Sequence, residues 1–201
     1  NDTLNGGDNN DKLIGEQADF RIIHSSVSGN IDDPIPSFGN DTLSGGEGDD
    51  KLYGDLLNLT LKAEGATNTP NNVVSINLAF GNDTLDGGNG NDELVGDANN
   101  VSLIAINGNG SGAAVIEGIH MDFGADVLNG GSGADTLYGD VKGGGGGGTG
   151  AIGNGSDARA EISFNTFYFG NDTLDGGADD DKVVGDVGTL KLTAVAGTNG
   201  S

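Results

Sequence analysis

The sequence predicts an all-β fold, a parallel β-roll or β-solenoid of five repeats of about 42 residues with stacked Gly-Asp turns. Three observations predict it. One motif occurs five times: GNDTLDGGNGNDELVGD from Gly81 recurs with substitutions from Asn1, Gly39, Gly124 and Gly170. Its first aspartate falls at Asp2, Asp41, Asp83, Asp126 and Asp172, so the copies lie 39, 42, 43 and 46 residues apart. The segments between the motifs alternate apolar and polar residues with a period of two, and none shows a helical stripe. The expected organisation is a single solenoid over residues 1–201, with repeats starting near 1, 39, 81, 124 and 170.

Each repeat opens with two short apolar triplets, such as Thr84-Leu85-Asp86 and Glu93-Leu94-Val95. The turn between them, residues 87–92, needs glycine because several of its backbone angles should lie at positive φ. A Gly-Asp kink then leads into a strand: Leu57, Leu59, Leu61 and Ala63 alternate with Asn58, Thr60 and Lys62. On the return, Val74, Ile76, Leu78 and Phe80 alternate with Ser75, Asn77 and Ala79. Each return ends in phenylalanine, at Phe38, Phe80, Phe123 and Phe169. The loops joining the two strands vary in length (24–36, 65–72, 107–113, 143–158), as expected of a solvent-facing corner. Val187 to Val195 is expected to start a fifth insert that does not return. A repeat of this length stacks either as one large coil or as two smaller ones.

Composition sets the partners. The chain carries 31 acidic and 8 basic residues, a net charge of −23. Such a chain repels itself when compact and offers no basic patch to nucleic acid. Multivalent cations are the natural counter-charge. No run of 18 apolar residues is present, so no membrane-spanning helix is expected. Cysteine is absent, which excludes disulfides and thiolate metal sites. The 40 glycines lack the collagen period.

Fifteen acidic residues form three columns: Asp2, Asp41, Asp83, Asp126, Asp172; Asp11, Asp50, Asp92, Asp135, Asp181; and Glu16, Asp55, Asp97, Asp140, Asp186. Glycine, asparagine and aspartate make good turns without any ligand. Turn-making explains the residue types and not the charge, because stacked, unneutralised carboxylates at strand spacing repel by roughly several kcal/mol in total. Calcium takes six to eight oxygens from carboxylates and backbone carbonyls. A glycine-rich turn bares its carbonyls, and the aspartate that ends the turn adds charge. Ligand turns work best directly above one another, which favours one coil per repeat; the residues leave the two-coil stacking open.

Gly45 to Tyr53, Gly87 to Val95 and Gly130 to Tyr138 match the pattern GGxGxDxUx, with U a large apolar residue, at every fixed position. Gly6 to Ile14 and Gly176 to Val184 depart from it, with Asn9 and Asp179 at the third glycine. The chain therefore resembles the RTX, or hemolysin-type, calcium-binding repeat family. The resemblance implies a parallel β-roll, several bound Ca²⁺ ions and a secreted, bacterial-type protein. It implies ligands in the turns at Gly46, Gly48, Gly88, Gly90, Gly131, Gly133 and Gly177, with Asp179, and in the second column at Asp11, Asp50, Asp92, Asp135 and Asp181. GNDTL reads as the second half of a nonapeptide. That extends the resemblance to Gly39, Gly81, Gly124 and Gly170 and to Asp2, Asp41, Asp83, Asp126 and Asp172. The third column, Asp55, Asp97, Asp140 and Asp186, has the least warrant from the family pattern. Family nonapeptides usually follow one another directly, whereas here strand-rich inserts separate each pair.

Other motifs carry little. The run Gly143–Gly148 lacks the Lys-Ser/Thr of a phosphate loop. His24 and His120 stand alone, and no Ser-His-Asp set or HExxH motif occurs, so no enzymatic activity is expected. Thr3, Thr42, Thr84 and Thr173 form one outward column, broken by Val127 and too narrow for an ice-binding face; a sugar- or ice-binding role for the column or the variable loops stays open as a third expectation. The expected function is a calcium-binding extracellular structural segment of an adhesin, surface layer or filament. The competing expectation is a secretion and folding module of an enzyme or toxin. The chain starts inside a motif without an initiator methionine, and neither end carries a polar cap. Further repeats, or identical subunits stacked end to end, are thus expected partners. Acid is expected to release calcium below about pH 4, the ordinary carboxylate range.

Overall fold

Among the described residues the regular structure is β-strand, and every strand pairing is parallel. A computed structural model describes residues 1–25, 37–65, 71–74, 76–107, 113–117, 119–143, 159–163, 166–188 and 192–195. No helix occurs among them, so none is long and apolar enough to cross a membrane. Most of each variable loop lies outside the described residues.

The described strands form five parallel ladders, two of which take a strand from every repeat. The first stacks β1 (Thr3–Asp8), β4 (Thr42–Glu47), β9 (Thr84–Asn89), β14 (Val127–Ser132) and β19 (Thr173–Asp175). The second stacks β2 (Lys12–Ile14), β5 (Lys51–Tyr53), β10 (Glu93–Val95), β15 (Thr136–Tyr138) and β20 (Lys182–Val184). The third holds the outgoing insert strands β3 (Gln17–Ser25), β6 (Leu56–Gly65), β11 (Ala98–Asn107), β16 (Val141–Gly143) and β21 (Leu192–Val195). The return strands form two ladders: β7 (Asn71–Val74), β12 (Ala113–Glu117) and β17 (Arg159–Ser163), then β8 (Asn77–Ala79), β13 (His120–Asp122) and β18 (Thr166–Tyr168).

Register decides the stacking. Thr42 pairs with Thr84, Leu43 with Leu85 and Gly46 with Gly88; Glu93 pairs with Lys51 and Thr136. Each motif therefore lies on its own counterpart, and each repeat is one coil. A coil has two lobes. In the motif lobe a single leucine per strand points inward: Leu43, Leu85 and Leu128 meet Leu13, Leu52, Leu94 and Leu137. In the insert lobe Leu59, Leu61, Ile76, Leu78, Val101, Leu103 and Met121 form a broader core. Each fully buried side chain of this size contributes about 1.5–3 kcal/mol. Phe38, Phe80, Phe123 and Phe169 stack at the mouth of this lobe, with ring centroids 5.1, 4.8 and 5.3 Å apart.

Two expectations change. Leu57 does not join Leu59 and Leu61: Leu56 enters the insert core, and Leu57 packs outside against Tyr53, Val95 and Tyr138. The chain has just turned at Gly54-Asp55, and alternation restarts only at Leu59. The fifth outgoing strand also does not simply stack on the fourth. Val187 bridges Val141, whereas Leu192–Val195 pairs with Leu103–Ile106, one layer further down. The fourth outgoing strand ends at Gly143, where the glycine run begins. The threonine column is in register and exposed, with Val127 also exposed at the break.

Candidate metal centre

Nine of the ten buried polar or charged residues in the described molecule are aspartates of the three columns. They line two files that run parallel to the stacking axis, one at the turn end of the motif lobe and one at the neck between the lobes.

The turn file begins with backbone conformation. The second and fourth positions of each turn are left-handed, as at Gly46 (φ 110°) and Gly48 (φ 122°). Asn9 (φ 75°) and Asp179 (φ 81°) hold the same conformation where the glycine pattern is broken; these two residue types tolerate it better than most. The second-column aspartates stack above one another. Oδ1 of Asp50, Asp92, Asp135 and Asp181 accepts a hydrogen bond from the backbone N–H of the preceding aspartate in the column, at 2.7–2.9 Å. Oδ2 of Asp11, Asp50, Asp92 and Asp135 is buried without a partner. Bare glycine α-carbons let these oxygens approach the next layer. A Cβ on Gly6 would stand 2.7 Å from Asp11 Oδ2 and 2.8 Å from the Gly45 carbonyl oxygen. One free carboxylate oxygen and one glycine carbonyl thus converge in each of the first four layers, both hard oxygen donors.

The neck file combines the first and third columns. First-column carboxylates form the same ladder: Oδ1 of Asp83 and Asp126 accepts from the N–H of Asp41 and Asp83 at 2.7 Å, and Asp172 Oδ1 from Asp126 at 3.0 Å. Third-column carboxylates accept from the glycine at which the insert returns. Gly39 donates to Glu16, Gly81 to Asp55, Gly124 to Asp97 and Gly170 to Asp140, at 2.8–3.3 Å. Again one oxygen of each buried aspartate remains without a partner: Oδ2 of Asp41, Asp83, Asp126, Asp140 and Asp172, and Oδ1 of Asp55 and Asp97. These oxygens converge in threes within 4.8 Å: Glu16, Asp41, Asp55; Asp55, Asp83, Asp97; Asp97, Asp126, Asp140; and Asp140, Asp172, Asp186. Oxygens on opposite sides of one calcium ion stand about 5 Å apart, so each group fits that ion. Gly15, Gly54, Gly96 and Gly139 border the file. A Cβ on Gly96 would overlap both Asp126 Oδ2 and the Gly139 carbonyl oxygen.

Buried like charges set the electrostatics. Burial, with the Asp83 charge, pushes Asp55 up to about 8. Burial, with the charge of the preceding aspartate in its column, raises Asp126 to about 9 and Asp83 to about 7. Asp140 reaches about 7 through burial and Asp172, and burial among four carboxylates takes Asp97 well above the usual range. In the turn file, burial raises Asp92 to about 6. Protons compete for these oxygens close to neutrality, because burial and mutual repulsion penalise the charged form before any cation arrives.

The family model for the RTX calcium-binding nonapeptide repeat (4 copies) matches residues 1–19, 37–58, 78–103, 122–141 and 169–189, more than half of the chain. The chain belongs to the RTX calcium-binding repeat family. Searches of curated proteins and of solved structures returned no match. RTX repeats bind calcium, and the two aspartate files supply the buried, unpartnered oxygens that such an ion needs.

Among the residues expected as ligands, the RTX turns bring Asp11, Asp50, Asp92, Asp135 and Asp181 into one file. The neck gathers Asp41, Asp55, Asp83, Asp97, Asp126, Asp140, Asp172 and Asp186. Asp2 and Asp179 join no group of carboxylates among the described residues; both are exposed, and Asp179 serves through its backbone angle. Gly39, Gly81, Gly124 and Gly170 act as N–H donors at the neck. The turn glycines Gly46, Gly48, Gly88, Gly90, Gly131, Gly133 and Gly177 take left-handed angles. Two features were missed. Glu16 completes the first neck group, and the glycine before each of the first four third-column acids makes room for the first column. The signal was present, since Gly-Asp or Gly-Glu stands at that place in all five copies.

Proposed function

We propose that the chain is a calcium-folded structural segment of an extracellular protein, part of a surface adhesin, surface layer or filament, with no catalytic activity of its own. One observation carries this reading: among the described residues, eleven buried carboxylate oxygens have no partner, and all belong to the three columns. Metal-free, this arrangement sets buried like charges against each other. A cation that neutralises them adds its binding free energy to folding. Calcium sites in extracellular modules commonly work at about 10⁻⁴–10⁻³ M, so the chain is unfolded in a low-calcium cytosol and folds after export. The in-register parallel ladders suit a rod that continues into further repeats or into identical subunits. A secretion and folding module attached to an enzyme or toxin is the second reading. The RTX repeats themselves favour it, since they are typical of secreted bacterial proteins. Flanking sequence separates the two: more repeats support the structural role, a protease, lipase or acyl-transfer motif the other.

The test is a calcium titration of the chelator-stripped chain, followed by far-UV circular dichroism. A cooperative gain of β signal with calcium, and none with magnesium, is the expected result. Full β structure that ignores both calcium and chelator would overturn the reading.

A further inference from the structure

The two files differ in chemistry. The turn file has one carboxylate per layer, and glycine carbonyls make up the rest of its donors. The neck file has three carboxylates per group, and Asp55, Asp97 and Asp140 each belong to two consecutive groups. Its nine carboxylates form four groups, so four divalent ions would neutralise all but one of their charges. The nonapeptide pattern does not require this file. A nonapeptide following Gly45–Tyr53 directly would place glycine at position 55, where the chain has aspartate.

The position of the neck file matters as much as its charge. Asp55 is where the chain leaves for an insert, and Gly81, whose N–H it binds at 2.8 Å, is where the chain returns 26 residues later. Asp97 and Gly124 close the next insert in the same way, 27 residues apart. A cation held by Asp55, Asp83 and Asp97 would tie the departure points of two successive inserts to Asp83, two residues beyond the return glycine Gly81. The free oxygens of all three residues are buried and aimed into the group.

We propose that the neck file is a second class of divalent-cation site, filled by calcium through shared carboxylates, and that it closes the inserts independently of the turn file. The proposal rests on the calcium-binding reading above and adds a distinct set of ions to it. Sharing makes a specific prediction. Asp97 serves two groups and Asp83 serves one, although both are buried aspartates accepting one backbone hydrogen bond.

The experiment measures bound calcium by equilibrium dialysis on the full chain. It compares the parent with Asp97→Asn, Asp83→Asn and, for the turn file, Asp92→Asn. At the calcium concentration that saturates the parent, Asp97→Asn should lose twice as many ions as Asp83→Asn. Hydrogen exchange reads the second half of the proposal. In Asp97→Asn the β6 and β11 amides should need at least about tenfold more calcium for protection, while the Asp92→Asn substitution leaves their midpoint near the parent value. Equal losses from Asp97→Asn and Asp83→Asn, or protection of β6 and β11 that follows Asp92 as closely as Asp97, would overturn this inference alone. A parent that binds no calcium would overturn the calcium reading with it. Should Asp97→Asn fail to fold at any calcium concentration, Asp55→Asn, which also serves two groups, gives the same comparison with Asp83→Asn.

Discussion

The motif lobe and the insert lobe are built on the same parallel ladders and solve the problem of stability differently. In the motif lobe the second ladder has strands of three residues, and β2, β5, β10 and β15 each place one leucine inward, whereas Val183 of β20 is exposed at the last layer. So thin a core removes little apolar surface from water. The insert lobe has strands of up to ten residues and a continuous aliphatic and aromatic core. Among the described residues, aspartate burial is confined to the turns and the neck. The ion pairs that involve lysine lie elsewhere, on Glu93 and Glu64. Where apolar volume runs short, the chain places carboxylates for metal instead.

The largest way to break this division is to fill the space kept empty for the carboxylates. Gly96→Ala would push a methyl group into Asp126 Oδ2 and the Gly139 backbone carbonyl, and Asp126 is already held by the ladder through its other oxygen, Oδ1. We expect a loss of about 3 kcal/mol or more in calcium-saturated stability, measured by urea unfolding. Gly143→Ala is the control. Its nearest neighbour would be 3.7 Å away, so stability should stay within about 0.5 kcal/mol. Equal effects of the two substitutions would show that the files are not close-packed.

A comparable effect is expected from the insert core, with a different signature. Leu103 is fully buried, and Leu103→Ala should cost about 2–5 kcal/mol. Because the cavity lies away from both files, the number of calcium ions bound at saturation should not change. Loss of ions in this variant would join the two lobes into one metal-dependent unit.

The smallest effect sharpens the electrostatic contrast. The carboxylates at the neck have folded-state values raised to about 7–9, so the metal-free fold binds more protons than the unfolded chain. Its stability is therefore greatest below the unfolded value near 4 and is lost as pH rises through that range. In chelator, β signal should grow as pH falls from 9 to 6. With calcium present the sign reverses for binding: the calcium midpoint should rise severalfold between pH 8 and pH 6, since protons and calcium compete for the same oxygens. A midpoint that does not move with pH would place the ligands in a solvated, unburied setting.

Much of this was legible without coordinates because the chain repeats itself. Identical residues at a period near 42 must stack if the coils stack, so the leucine, phenylalanine and aspartate columns follow from spacing and strand geometry alone. The conformational demand on the turns was legible for the same reason. It extends to Asn9 and Asp179, which stand where glycine is the rule. Leu57 was misplaced because a two-residue rhythm does not reveal where it restarts after a kink. The path of β21 was hidden because equal spacing predicts pairing with the neighbouring repeat, whereas Leu192–Val195 pairs with Leu103–Ile106 of the repeat beyond it.

By itself the sequence determined the class of fold, the calcium chemistry and the membership of each column, since all three depend on residue type at fixed intervals. Only the tertiary structure decided that the third column faces the first. Asp55 and Asp83 are brought together by the closure of an insert whose length varies between repeats. No sequence interval encodes their distance; it is set by the coil that returns the chain to its starting point.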